Sequence, residues 1–428
     1  MFNPRPFGAP WRAAHADTAR SPFVRMWLSV VAANFADGVL RVLLPLSAVA
    51  SGATAVQVSV VVAASSLPWL LGTMPAGVIA DRFNRARTIR VASLCRVLVA
   101  LALFGATRSD TSSVAVLAVS ALLFGGPEVI TDVASQTEVA SVVDPDRLER
   151  AYGRMTSGQL AAELLIGPAF AGAVFQWNPS VAVAATTISF AVAGLAIGSN
   201  RRTTTSPAST SRWWRDASAG LRVLASHQWM RRSAITAGVL NFTSAGSAAI
   251  LVTYALSSDG LDLSERDFGL LLTATGIGGV VGALAAPRIH ARLGDGRSLL
   301  VGVSGFVLAD IAPGLVRHPA MLALASATGF AVGMIYLTKV VSLRQRLLND
   351  EIRGRVNAAF QLVGTSAAPL GAIVAGLLAT GIGFRPTFLA LGVVASLGVL
   401  ASHPWTNIPE PQPQAPKRHN PGSAPDNG

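Results

Sequence analysis

The sequence predicts an all-α membrane protein with twelve spanning helices in two six-helix halves, on three observations. First, 51% of the 428 residues are hydrophobic and only 13% are charged. A soluble domain carries about a quarter charged residues, so this chain lacks the polar surface that water requires. Second, apolar runs near the roughly 20 residues needed to cross a bilayer recur along the whole length. Third, 40 glycines and abundant alanine allow the close helix contact that packing in lipid favours.

Apolar runs set against short polar breaks give the spans. The first half holds Met26–Ala50, Val56–Ala80, Thr88–Thr107, Val114–Ser135, Ala151–Phe175 and Ser180–Ile197. The second holds Ala234–Leu256, Phe268–Ala286, Ser298–Val316, Ala320–Val341, Asn357–Ala379 and Thr387–Ser402. Domain limits follow: a tail over 1–22, a half over 23–197, a linker over 198–233, a half over 234–402 and a disordered tail over 403–428. The linker opens with RRTTTSPASTSR, flexible by composition. It continues as a stretch in which Trp214, Ala217, Leu221, Leu224 and Ala225 share one helical face, predicting a helix in the membrane interface.

A net charge of +12 would suit nucleic acid, but its placement excludes that partner. Arginines gather in the N-terminal tail and in alternate loops: Arg82 to Arg90, Arg147 to Arg154, Arg201 to Arg232, Arg288 to Arg297 and Arg344 to Arg355. The intervening loops hold only Arg108, Arg266, Arg317 and Arg385. This positive-inside alternation predicts cytoplasmic termini and an inner (plasma) membrane location. No cleavable signal peptide is evident, the first 21 residues being polar. The single cysteine, Cys95, excludes an internal disulfide and is expected as a packing residue within its span. No G-x-x-x-x-G-K-[ST] loop offers ATP chemistry, and no His/Cys cluster offers a metal site. No cofactor is expected, and no paired catalytic constellation points to an enzyme.

The loop after the second span reads Gly77-Val-Ile-Ala-Asp81-Arg82-Phe-Asn-Arg85-Ala-Arg87. It resembles the signature loop of the major facilitator superfamily. Gly77 permits close helix contact, and Asp81 is placed to cap the next helix at its positive dipole end. Arg82 and Arg85 can pair with a carboxylate at a neighbouring helix end, and Asp132 is the expected partner of Arg85. The resemblance implies that this cluster latches the halves on the cytoplasmic side. Asn84 and Ala86 depart from the family pattern, which has glycine and a basic residue there. The segments NFADGVLRVLLPL, ELLIGPAFAG and GRVNAAFQLVGTSAAPLGA are similar to the branch containing enterobactin and macrolide exporters. Gly167-Pro168 with Gly172 resembles the fifth-helix motif of drug–proton antiporters and predicts a kink. Glu163 and Ala171 stand where that motif has glycine, and the fourth span lacks the arginine many antiporters carry.

Ionisable residues inside spans are the remaining signal. Each costs about 2.5–3.5 kcal/mol at a helix centre, so each is expected to face the interior with a partner. Asp37 and Arg41, one turn apart, either pair with each other or handle protons or substrate. Arg96, Glu128 and Glu163 complete the first half's set; the second offers Asp310 and, near a span end, Lys339. Trp69 and Phe242 are expected as packing or interface anchors. The resemblance implies a secondary exporter of a small amphiphilic molecule, with protons, the lipid bilayer and a small-molecule substrate as partners and a monomeric state. Lipid or lysophospholipid movement is the alternative, and a membrane sensor or enzyme on the same fold a more distant one.

Overall fold

The computed structural model describes residues 22–109, 113–143, 148–197, 213–348 and 350–402, together with Trp405, Thr406 and Ile408. Every regular element among them is helical. The first half holds α1 (Pro22–Ala50), α2 (Ala55–Arg82), α3 (Arg85–Arg108), α4 (Val114–Val142), α5 and α6 (Pro179–Ala196). Helix α5 has three parts: Leu148–Leu160, a π-helical turn Ala161–Ile166, and Gly167–Phe175. The linker helix α7 (Trp213–Ser226) leads into α8 (Gln228–Leu256), α9 (Glu265–Leu315), α10 (Pro319–Leu347), α11 (Asp350–Ser366 and Ala368–Ile382) and α12 (Phe384–Ser402). Helix α9 carries the two predicted spans Phe268–Ala286 and Ser298–Val316 on two limbs, 265–293 and 295–315, joined at Gly294, whose φ of 72° only glycine adopts without strain. The twelve expected spans are therefore all present.

Polar side chains stop the helices at one end of the bundle. Thr54 and Gln57 form a reciprocal capping box at α2, and Ser113, Asn178 and Ser264 accept the first free N–H groups of α4, α6 and α9. The opposite end carries α7, the described helix of the linker, and is called the linker end below. At the capped end the halves pack tightly. Residues of α1, α5, α8 and the start of α9, including Leu43, Ala171, Val252 and Phe268, share one apolar cluster. Ala63 of α2 meets Ala249 of α8 and Ala372 of α11 in another.

A seam between α5 and α9 shows where this closure ends. Gly172 packs against Gly269, the Leu165 carbonyl accepts a hydrogen bond from Thr273 at 3.3 Å, and Gly276 lies against the Leu164 carbonyl. Beyond that point Leu148–Leu160 turns to α1 and α4 of its own half.

The halves repeat one local design. Asn34 on α1 and Asn241 on α8 each donate to the carbonyl four residues earlier, both at 2.8 Å. Each is followed by phenylalanine, so Asn34-Phe35-Ala36-Asp37 and Asn241-Phe242-Thr243-Ser244 stand in the same register.

Several expectations change. Cys95 is exposed on α3, beside the outward-facing Leu94 and Leu98, because its face of the helix is turned away from the bundle. Helix α7 forms as expected, but it docks on the bundle: Gly220 lies against the Arg355 carbonyl of α11, and Leu224 is buried in the cluster at the linker end. Leu221 and Ala225 are exposed, whereas the side chains of Trp214 and Ala217 lie outside the described set. The tail expected to be disordered begins with packed residues. Trp405 and Ile408 join the same cluster, and Thr406 accepts a hydrogen bond from Arg232 at 3.0 Å. The remaining tail residues fall outside the described set.

Candidate functional site

Four helices of the first half converge on one guanidinium. Arg96 of α3 is 1% exposed, a burial an arginine tolerates only with partners on several sides. Its Nη1 donates to Asp37 Oδ2 of α1 at 3.3 Å, and its Nε donates to the Phe124 carbonyl of α4 at 3.3 Å. Nη2 lies 3.3 Å from Asp37 Oδ1 and 3.7 Å from Glu128 Oε2, close enough for ion pairing but without hydrogen-bond alignment. The ring of Phe190 on α6 closes the remaining face, 4.7 Å from the guanidinium carbon. One cation thus serves two carboxylates on two helices.

One turn along α1, Arg41 forms an ion pair with Glu163 of α5. Its side chain is 56% exposed, so this pair borders open space while the Arg96 centre is closed off. Glu163 sits in the π turn for a reason that the next residues supply. In a π turn the Glu163 carbonyl would be bonded by the N–H five residues on, and that residue is Pro168, which has none. Gly167 completes the last such bond, from its N–H to the Ala162 carbonyl. The Glu163 carbonyl faces Gly38 of α1, where a Cβ would lie only 2.5 Å from the oxygen. This approach lets a Cα–H group take the place of the missing donor. At the expected kink of Gly167, Pro168 and Gly172 the helix therefore carries a π turn that presents one acidic side chain and one freed carbonyl, that of Glu163.

Asp132 lies one turn along α4 from Glu128, within electrostatic reach of Asp37, Arg96, Glu163 and Arg41. It forms no ion pair with Arg85, its expected partner, because its position on α4 turns it toward this cluster. Four carboxylates and two guanidiniums are thereby gathered between α1, α3, α4 and α5. Of the two alternatives for Asp37 and Arg41, the mutual pair does not form: Asp37 is paired with the buried Arg96, and Glu163 engages Arg41 at the open side.

Asp310 stands apart. It lies on the second limb of α9, 4% exposed, and accepts a hydrogen bond from Ser244 of α8 at 3.3 Å. Lys339 of α10 forms an ion pair with Asp295, just past the bend at Gly294. Phe242 packs in an apolar cluster, as expected of an anchor.

The signature loop keeps its place between α2 and α3. The cap of α3 is Asn84, whose side chain accepts the Arg87 N–H at 3.0 Å. Asp81, expected to cap, belongs instead to the last turn of α2. The family-atypical residue has taken the capping role, since asparagine supplies the acceptor that glycine lacks. The side chains of Gly77, Asp81 and Arg82 lie outside the described set. Sequence reasoning missed Glu138, 3% exposed on α4 and engaged in a polar interaction. Its distance from the apolar centre of α4 hid it among loop charges.

Comparison with known proteins agrees with this architecture. The chain is 26% identical over 406 residues to the multidrug efflux pump Tap of Mycolicibacterium fortuitum, an alignment covering 90% of this chain and 96% of the pump. It is equally identical over 405 residues to the pump Tap of Mycobacterium tuberculosis, covering 89% of this chain and 93% of that one. Among solved structures, a variant of the nucleoside transporter NupG superposes with a TM-score of 0.74 over 90% of this chain and 100% of its own, at 10% identity. A bacterial homologue of the iron transporter ferroportin in an inward-facing state gives 0.67 over 90% of this chain and 98% of its own, at 17% identity. Residues 12–424 match the transmembrane secretion effector family, and the chain belongs to that family of the major facilitator superfamily.

Proposed function

We propose that this protein exports a small amphiphilic organic molecule across the plasma membrane by proton antiport with alternating access. The observation that carries the reading is Arg96, one buried cation shared by Asp37 and Glu128 on two different helices. A carboxylate that loses its place beside this cation is left uncompensated in a low-dielectric interior and takes up a proton. Helix movement that changes the two separations exchanges protons for conformational work. One charge crossing 100 mV supplies about 2.3 kcal/mol. The similarity to two pumps named for multidrug efflux supports a drug-like cargo.

In this reading the linker end is cytoplasmic, with both termini on that side, following the arginine distribution. The tight packing at the capped end then corresponds to a closed outer gate. In this reading cargo takes a route from the cytoplasm where α5 parts from α9, toward the exposed Arg41 and its partner Glu163. Cargo entering by that route meets this pair first. The test is uptake of a fluorescent amphiphilic drug into inverted vesicles, with and without an imposed proton gradient. Gradient-dependent accumulation that stops on adding a protonophore supports the proposal, and accumulation indifferent to the protonophore rejects it.

A further inference from the structure

Two seams close the capped end, and they stand in the same register of the two halves. Helix α9 begins at Glu265 and α2 at Ala55, so Gly269 and Ser59 are both the fifth residue of their helix. Gly269 meets Gly172 of α5, and a Cβ on Gly172 would lie 2.8 Å from the Gly269 Cα. Ser59 meets Gly376 of α11, where a Cβ would run into the Ser59 hydroxyl. The two seams are fastened differently. Between α5 and α9 the Thr273 hydroxyl lies 2.8 Å from the Gly269 carbonyl of its own helix and 3.3 Å from the Leu165 carbonyl across the seam. Gly276 covers the Leu164 carbonyl, to which Pro168, four residues on, offers no N–H. Closure on this side adds contacts to two main-chain acceptors. Between α2 and α11 it strands a donor instead: Ser59 is 0% exposed, and its hydroxyl has no hydrogen-bond partner. In the two clusters that α2 and α11 share, the buried residues of both helices are all alanine: Ala55 and Ala63, with Ala372, Ala375 and Ala379. None of these side chains can compensate the hydroxyl.

We propose that the outer gate opens asymmetrically: the halves turn about the α5–α9 seam, which stays fastened, and part between α2 and α11, with Ser59 as the positioning residue that keeps the closed state from becoming a trap. The proposal rests on the alternating-access part of the export reading, in which the capped end is the outer gate. An unpaired buried hydroxyl disfavours the state that buries it, and water satisfies it once the seam parts. Gly376 thus permits the closed approach while Ser59 limits its stability. Thr273 suits the other side, because a hydroxyl with acceptors on its own helix and across the seam follows a small rotation without losing its bond. The Leu164 and Leu165 carbonyls lie next to the π turn, so a pivot there leaves Glu163 in place beside Arg41 while the opposite seam opens.

The readout is distance rather than transport, in a Cys95→Ala background reconstituted in nanodiscs. Nitroxides are placed across α2–α11 with Ser51→Cys and Gly381→Cys, and across α5–α9 with Gln176→Cys and Arg266→Cys, all exposed positions at the capped end. Double electron–electron resonance is expected to give a short and a long distance for the first pair and one short distance for the second. Ser59→Ala removes the stranded hydroxyl and is expected to lower the long-distance fraction of the first pair about fivefold. Gly376→Ala adds a methyl group that the closed seam cannot hold and is expected to raise that fraction by a similar factor. If Gly376→Ala does not fold, Ser59→Ala carries the test alone. Equal lengthening of both pairs, or a long-distance fraction that Ser59→Ala leaves unchanged or enlarges, overturns the asymmetric gate and leaves alternating access standing. One short distance for both pairs in every variant defeats alternating access itself, and the export reading with it.

Discussion

Gly38 of α1 lies against the main chain of Glu163, and one turn on Gly167 of α5 lies against Gly38 in return. The contact fixes the height at which the acidic side chain of the π turn meets Arg41. Filling it with a methyl group requires the two helices to part, a kind of overpacking that costs about 1–3 kcal/mol. Gly38→Ala is expected to lower the melting temperature in detergent and to reduce transport. Equal melting temperature and equal transport in the variant would show that the two helices do not need this approach.

The cap of α3 provides a prediction about local stability. Replacing an asparagine cap with alanine costs about 1 kcal/mol, and with glycine only a few tenths. Asn84→Ala is expected to melt below wild type and Asn84→Gly close to it. Asp81→Asn and Arg85→Ala are expected to behave differently, reducing transport while leaving membrane abundance near normal, because the family loop acts on the balance between conformations. Wild-type transport in both loop variants would leave the loop only a topogenic role.

The fold was legible because its cause is one-dimensional. Length of apolar run, polar break and arginine placement are properties of the chain itself, and they located all the spans, including the two that meet at Gly294. That ionisable residues of the first half's spans would need partners was legible for the same reason, since a charge inside a span is costly unless compensated. Their pairing was not. Asp37 with Arg96, and Arg41 with Glu163, join residues 59 and 122 positions apart. Only the arrangement of helices decides which of several oppositely charged groups is nearest. The facing of Cys95 and the docking of α7 were hidden likewise, because helical periodicity identifies a face without saying what covers it.

Cys95 gives a practical check on helix facing. It is the only cysteine of the chain and is exposed on the outer surface of α3. A membrane-permeant maleimide is expected to label it in the native protein without inhibiting transport, and Cys95→Ala should transport like wild type. Labelling that occurs only after denaturation would place the residue inside the bundle.

Orientation is tested by reporter fusions. Fusions after Arg85, Arg150, Arg215, Arg292 and Arg353 are expected to report a cytoplasmic location, and fusions after Asp110 and Asp262 an external one. An external signal at Arg215 would break the six-plus-six arrangement.

The central claim is that Asp37 and Glu128, sharing Arg96, couple the proton gradient to transport. The direct measurement is substrate movement into proteoliposomes with and without an imposed pH gradient, for wild type, Asp37→Asn and Glu128→Gln. Neutralising either carboxylate leaves Arg96 with one fewer partner to exchange. Each variant is expected to lose concentrative transport while retaining downhill flux and substrate binding in part. If both variants still concentrate substrate in response to the gradient, the coupling assignment is contradicted, and Glu163 at the Arg41 pair becomes the group to test.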